Sequence, residues 1–293
     1  MAATFRHIGI IGKHGAPTVG DTLTRLITYL HGRDLAISLD VSAADQSPGT
    51  NLPILERDEL AAQCDLAIVI GGDGTLLNAG RSLTDADVPL VGINLGRLGF
   101  LADVSPDSMT EQLGHILDGN YATEERSLLH ATIWRGEREL DSSDALNDVV
   151  VHKRDVARMI ELEVHIDGRL LSSQRADGLI VATPTGSTAY ALSGGGPILH
   201  PAMDAMVLVP ICPHSLNNRP IVIDEASEIC IAVHTGGGYT QGQITCDGQV
   251  NVPLSPGDRV RIRRKEKRLR LIHPPGYDYF EILRRKFHWG SSS

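Results

Sequence analysis

The chain has 293 residues, enough for one large domain or two of ordinary size. Its 27 basic and 36 acidic residues leave a formal charge of −9, which argues against a nucleic-acid binder but leaves room for a phosphorylated small molecule held by local positive charge. No apolar run approaches the ~18–20 residues of a membrane span, Met1 to Gly12 carries no secretory-leader pattern, and Cys64, Cys212, Cys230 and Cys246 form no Cys-x-x-Cys pair, so the chain reads as cytoplasmic, with free thiols and no zinc site.

In chain order, His7 to Gly12 is a candidate first strand, and Leu23, Leu26, Ile27 and Leu30 carry helical spacing from about Val19. Residues 38 to 53, rich in Ser, Ala, Pro and Asp, read as a loop. Leu66 to Ile70 is a buried strand, and Val88 to Ile93 is another that runs into a glycine turn, Asn94 to Leu101. Met109 to Leu117 reads as a helix. This alternation predicts an α/β N-terminal domain with a parallel, Rossmann-like sheet over residues 1–145. The texture then changes. Glu161 to Ile166 alternates with period two before a hairpin signal, Asp167-Gly168. Gly178 to Thr183, Ile221 to Ile223, Ile229 to Val233 and Val260 to Ile272 follow as strand candidates, separated by turns such as Gly236 to Gly238. An all-β sandwich over 146–272 is expected. Residues 273–293 form a C-terminal segment, with a helix at about Tyr279 to Phe287 packing back on the N-terminal domain and a disordered tail, Ser291 to Ser293.

The most informative segment is Gly71-Gly72-Asp73-Gly74-Thr75, which sits between an apolar strand and a helical pattern. Three glycines let backbone N–H groups approach an anion, and a helix N-terminus adds a favourable partial charge. A carboxylate in such a loop repels phosphate unless it has a task, either taking a proton from an attacking hydroxyl or holding a metal. There is no Gly-x-x-x-x-Gly-Lys-Ser/Thr loop, and the spacing of Gly9, Gly12 and Gly15 is not a dinucleotide fingerprint. The stretch Asp177 to Pro197 runs from an apolar strand through a hydroxyl-rich turn to Gly194-Gly195-Gly196, with Ser187 or Thr188 as the expected helix cap; its hydroxyls and N–H groups suit a ribose, an adenine edge or a phosphate. In Asn147-Asp148 the amide can pair with an adenine edge and the carboxylate with ribose hydroxyls, although the pair alone is also a turn signal. Pro213 to Pro220 offers His214 and Arg219 to phosphate or is simply a capped loop. Arg261 to Arg270 fits a strand with a solvated basic face.

Together these segments resemble the bacterial-type NAD kinases over nearly the whole chain. The Gly71–Thr75 loop is shared with phosphofructokinases and diacylglycerol kinases, whereas the Asn94–Leu101 turn, Asn147-Asp148, Asp177 to Pro197, and the stretch from Cys246-Asp247-Gly248-Gln249 to Pro274 are specific. The resemblance implies an NAD-binding β-sandwich domain and transfer of a phosphoryl group to the 2′-hydroxyl of the adenosine ribose of NAD, giving NADP. ATP with a divalent cation, Mg²⁺ first, is the implied donor, and some members use polyphosphate. Asp73 would accept the hydroxyl proton, with Gly71, Gly72, Gly74, Thr75 and Phe100 around it. Asn147 would hold the adenine and Asp148 the ribose, where the family usually has Asn-Glu. Arg158, Arg175 and Asp177 would lie toward the nicotinamide half, in part from a neighbouring subunit. Thr188, Ala189, Tyr190, Ala191, Leu192 and Ser193 would line the adenosine site, and Gln249 would add a contact. An arginine at 175 is similar to the branch that favours NAD over NADH. A homo-oligomer, dimer or tetramer, is implied, with no nucleic-acid or membrane partner and no metal-ligating residue assigned. A lipid kinase and a non-catalytic dinucleotide sensor are the alternatives.

Overall fold

A computed structural model describes the chain apart from residues 1–4, 14, 16–17, 47–49, 97–98, 155–157, 216, 235–241 and 291–293. The Gly236–Gly238 turn, the Ser291–Ser293 tail and two residues of the Asn94–Leu101 turn lie outside the described residues. The chain forms two units, one of Met1–Glu125 with Leu269–Ser293, the other of Arg126–Arg268.

In chain order the elements begin with β1 (His7–Gly12), α1 (Thr18–His31), β2 (Ala36–Asp40), α2 (Val41–Ala44), β3 (Ile54–Leu55), α3 (Arg57–Gln63), β4 (Leu66–Gly71), α4 (Asp73–Leu83), β5 (Leu90–Asn94), α5 (Met109–Leu117) and β6 (Ala122–Arg126). Next come β7 (Leu129–Arg135), β8 (Arg138–Ala145), β9 (Asp148–Lys153), β10 (Ile160–Ile166), β11 (Arg169–Ala176), β12 (Gly178–Ala182), α6 (Tyr190–Ser193), β13 (Ala205–Ile211), β14 (Ile221–Asp224), β15 (Ile229–His234), β16 (Gly242–Cys246), β17 (Val250–Leu254) and β18 (Asp258–Arg264). The chain closes with β19 (Leu269–His273) and α7 (Tyr279–Phe287).

The first unit is built on a seven-stranded sheet in the order β3-β2-β1-β4-β5-β19-β6. Neighbours from β3 to β19 pair in parallel. β4 and β5 are buried at every position, as parallel strands covered on both faces require. Leu23, Leu26 and Leu30 of α1 and Leu113 and Ile116 of α5 share a core with Ile8, Ile10 and Ile68. The expected loop over 38–53 is corrected at its start, where β2 ends and α2 begins. Its polar residues are caps: Asp40 accepts the Ser42 amide at 2.9 Å and pairs with Arg57 at 2.7 Å. Among the described residues no helix is long and apolar enough to cross a membrane.

The second unit holds two six-stranded antiparallel sheets, β11-β10-β15-β18-β7-β8 and β14-β13-β12-β9-β16-β17. Alternate residues such as Leu162, Val164, Ile231 and Val260 of one meet Val149, Val151, Leu179 and Leu208 of the other in a shared core. The other face of β9, β12 and β13 is also apolar, and Ala191 and Leu199 pack on Ile180, Val207 and Val209 there. β10 and β11 join at Asp167-Gly168, both with positive φ, the conformation of a tight hairpin.

This unit begins at Arg126. β7 pairs with β18 and sends Leu129, Ala131 and Ile133 into the sandwich core. It ends at Arg268, and the expected Val260–Ile272 strand divides there. β18 stays in the sandwich, while β19 joins the first sheet through Leu271 opposite Leu90.

Candidate active site

In the first unit, sheet order reverses between β1 and β4, and open α/β sheets bind ligands at the carboxyl ends of strands beside such a switch point. β4 ends there at Gly71, Gly72 is the extended N-cap, and Asp73 is the first residue of α4. A Cβ on Gly71 would stand 2.4 Å from Thr75 Oγ1, so Thr75 folds over the strand end only because Gly71 has no side chain. The Asp73 carboxylate is held by the second glycine turn. Its Oδ2 accepts the Phe100 amide at 2.8 Å, and its Oδ1 accepts those of Leu101 at 3.1 Å and Ala102 at 3.3 Å. A Cβ on Gly99 would lie 2.2 Å from Oδ1, so this backbone passes the carboxylate only as glycine. A carboxylate has about four lone-pair sites. Three bonds orient the group and leave capacity for one more donor. The Phe100 ring meets Phe287 of α7 at 6.1 Å, under the Lys286 ammonium at 5.2 Å.

In the second unit, the backbone of residues 146–148 is clamped from two sides. Asp247 sits in a left-handed turn after β16 and accepts the amides of Leu146 at 3.0 Å, Asn147 at 2.7 Å and Asp148 at 3.2 Å. From the other side, Thr183 donates its hydroxyl to the Leu146 carbonyl at 2.6 Å and its amide to the Asn147 carbonyl at 2.9 Å. A Cβ on Gly186 would lie 2.0 Å from that carbonyl oxygen, so only glycine allows the approach.

The clamp sets Asn147 and Asp148 in the wall of a cavity of about 460 Å³, within the size range of small-molecule sites. Asp177, Ala189 and Tyr190 also line it. Asp148 is 4% exposed. Burial, with the Asp247 charge second, pushes its carboxyl up to about 7, against the opposing hydrogen bond from the Tyr190 amide. Asp177 pairs with Lys153 at 2.7 Å. His152 places Nε2 2.9 Å from Thr245 Oγ1 on the same wall.

Other expected residues stand elsewhere. Arg158 and Arg175 are exposed, and neither lines this cavity; the Arg175 carbonyl accepts the His214 amide at 2.9 Å. Thr188 closes a 3₁₀ turn by donating to the Thr185 carbonyl at 3.2 Å. Ala191 of α6 is wholly buried, Leu192 is half-buried, and Ser193 and Gln249 are exposed outside the cavity lining. The expected Ser187 or Thr188 cap is corrected. Ser187 is buried, donates to the Pro184 carbonyl at 2.6 Å and accepts the Leu199 amide at 2.9 Å, so it ties the loop to the next segment. His152, Lys153 and Thr245 carry no motif that marks them in the sequence, and Asp247 stands out there only as part of the Cys246-Asp247-Gly248-Gln249 stretch, with no role assigned. Asp247-Gly248 is an ordinary turn signal, and nothing local shows that its carboxylate meets a backbone a hundred residues away.

A parallel α/β unit with a tethered carboxylate at its switch point, and a β-sandwich with a cavity of small-molecule size, give the build of a two-domain nucleotide-handling protein. Residues 35–121 match the ATP-NAD kinase N-terminal domain and residues 146–274 the ATP-NAD kinase C-terminal domain. NAD kinase of Chromohalobacter salexigens is 49% identical over 288 residues, covering 98% of each chain, and that of Pseudomonas aeruginosa strain LESB58 is 50% identical over 287 residues, covering 98% of this chain and 97% of the other. The chain belongs to the NAD kinase family. Among solved structures, yeast NADH kinase complexed with NADH superposes with a TM-score of 0.87 at 24% identity, covering 98% of this chain and 89% of that one, a likeness of fold. An NAD kinase from Archaeoglobus fulgidus in complex with ATP gives 0.73 at 25% identity, covering 96% and 97%.

Proposed function

We propose that this chain phosphorylates the 2′-hydroxyl of the adenosine ribose of NAD with ATP, and that Asp73 accepts the hydroxyl proton. The observation that carries this reading is the orientation of Asp73 by three backbone amides at the end of β4. The 2′-oxygen forms a bond to the γ-phosphorus, the bond from that phosphorus to the bridging oxygen breaks, and ADP leaves with the electron pair. The proton passes to Asp73. Such a transfer is mostly positioning and charge stabilisation, so a fixed acceptor is the main demand on the side chain. Asn147 reads the adenine edge, Asp148 accepts from the ribose hydroxyls, and Asp177 with its Lys153 partner serves the far half of the dinucleotide. Arg175 tips selectivity toward NAD over NADH.

Mg²⁺ enters as the MgATP substrate. Among the described residues no group of three or more His, Cys, Asp or Glu side chains is placed to hold a metal ion. The lipid-kinase alternative is not favoured by family membership. A homo-oligomer is supported by the exposed apolar residues Leu170 and Leu171 of β11 and Ile221 and Val222 of β14, both edge strands of their sheets.

The test is formation of NADP from NAD and MgATP, read with an NADP-specific dehydrogenase, by the natural protein and Asp73→Asn. The variant should bind NAD normally and lose about 10²–10⁴-fold in kcat, the usual share of general-base catalysis. A near-normal kcat removes Asp73 from the role. If neither protein makes NADP while both bind NAD, either the sensor reading or another phosphoryl donor moves ahead, and the assay is repeated with polyphosphate.

A further inference from the structure

His273, the last residue of β19, is 1% exposed and takes no part in the chemistry above. Its Nδ1 lies 3.0 Å from Asp103 Oδ2 and its Nε2 3.3 Å from Glu124 Oε2. Tyr277 stacks on the ring at 3.7 Å between centroids and donates its hydroxyl to Glu124 at 3.1 Å. The titratable groups against the imidazole are thus Asp103 from the segment after β5, Glu124 from β6 and Tyr277 from the turn before α7. Asp103 and Glu124 have side chains only 12% and 18% exposed. Two carboxylates withdrawn from water repel one another unless a cation stands between them.

The place of Asp103 gives this cluster a second meaning. Leu101 and Ala102, just before it, donate to Asp73 Oδ1. Val104, just after it, is pinned in the sheet, donating to the Gly92 carbonyl at 3.1 Å while its own carbonyl accepts the Asn94 amide at 2.9 Å. A shift of Asp103 is therefore taken up on its other side, by the amides that hold Asp73. We propose that His273 is a positioning residue for phosphoryl transfer: as an imidazolium between Asp103 and Glu124, it fixes the 100–104 segment and through it the Asp73 carboxylate. The inference rests on the reading of Asp73 as proton acceptor.

Burial works against a charge on His273, but the bond to Asp103, the contact with Glu124 and both carboxylate charges outweigh it and raise its pKa above the usual 6.5. A raised histidine contributes its full effect below its unfolded pKa and loses it as pH rises through the folded one. The positioning therefore fails on the alkaline side.

The experiment measures kcat and KM for NAD at saturating MgATP from pH 6 to 9, with melting temperature, for the natural protein, His273→Gln, Asp103→Asn, Glu124→Gln and Asp73→Asn. His273→Gln should lose about tenfold in kcat, keep KM for NAD within about twofold, and lack the alkaline fall. Asp103→Asn and Glu124→Gln should each move that fall to lower pH by about one unit, since each removes one charge that raises the histidine. A residue that only props the fold would lower the melting temperature and leave the pH limb in place. The proposal is overturned if neither carboxylate variant moves the limb, or if His273→Gln keeps the natural kcat and profile; should His273→Gln not fold, the carboxylate variants decide. Asp73→Asn separates the two ideas. Inactive Asp73→Asn with an unmoved limb strikes His273 alone, whereas active Asp73→Asn strikes the reading of Asp73 on which it rests.

Discussion

Asp148 carries a stability cost at neutral pH that its place in the cavity wall imposes. An aspartate whose folded pKa is raised from 3.8 to about 7 binds its proton more tightly when folded, so its contribution to stability falls as pH rises from about 4 to 7. Asp148→Asn removes that loss. The variant should gain about 2–4 kcal/mol at pH 8 relative to the natural protein and little at pH 4, measured by urea denaturation at both. It should also bind NAD more weakly, and the natural protein's Kd should drop as pH rises through about 7 while the variant's stays flat. Loss of stability at pH 8 in Asp148→Asn would show that the carboxylate is compensated by more than the Tyr190 amide. Gly99 makes a second residue-scale prediction. A methyl there collides with Asp73 Oδ1, so Gly99→Ala should lower kcat at least tenfold with KM for NAD little changed, and steady-state kinetics beside Asp73→Asn checks it.

Among the elements, those that bury plain apolar runs were legible from sequence and those held by distant polar partners were not. Leu66 to Ile70 announces β4 because a short apolar run ended by Gly71-Gly72 fits a strand covered on both faces and is too short for a buried helix. α2 was hidden because Asp40 and Ser42 look like loop residues until Arg57 is seen to close on Asp40. β8 was hidden because Arg138 to Ala145 is polar and mostly exposed, an edge strand whose order comes from β7. The Asp73 loop was readable as strand, glycines and helix, but the three amides that hold its carboxylate come from residues 27 to 29 places further on.

The Asp40–Arg57 pair yields a prediction at this scale. Asp40 is 1% exposed, and although burial pushes its pKa up, Arg57 and Ser42 together bring it below 3.8. Its stabilisation is present above the unfolded pKa and lost as pH falls through the folded one. Asp40→Ala should cost about 2–4 kcal/mol at pH 7, because Arg57 loses its partner and α2 its cap, and the difference should shrink below about pH 4. Denaturation curves at both pH values test this.

At the scale of the whole molecule, the second unit is inserted between two strands of the first. β19 returns after Arg268 to stand between β5 and β6, and α7 follows it with Ile282 and Leu283 buried. A chain stopped at Arg268 therefore lacks an interior strand of the seven-stranded sheet. Its β5 amides should lose hydrogen-exchange protection, while those of β10, β12 and β15 in the sandwich stay protected. Equal loss in both units would mean that they unfold as one cooperative body.

The same insertion has a consequence during synthesis. When β5 and β6 leave the ribosome, the strand that belongs between them has not been made. At about 5–20 residues per second it arrives on the order of ten seconds later, after the whole sandwich has been translated. Throughout that interval Val104 already pairs with Gly92 and Asn94 of β5, but Leu90 lacks the strand that Leu271 later brings beside it, and an open sheet edge of that kind can template pairing with other chains.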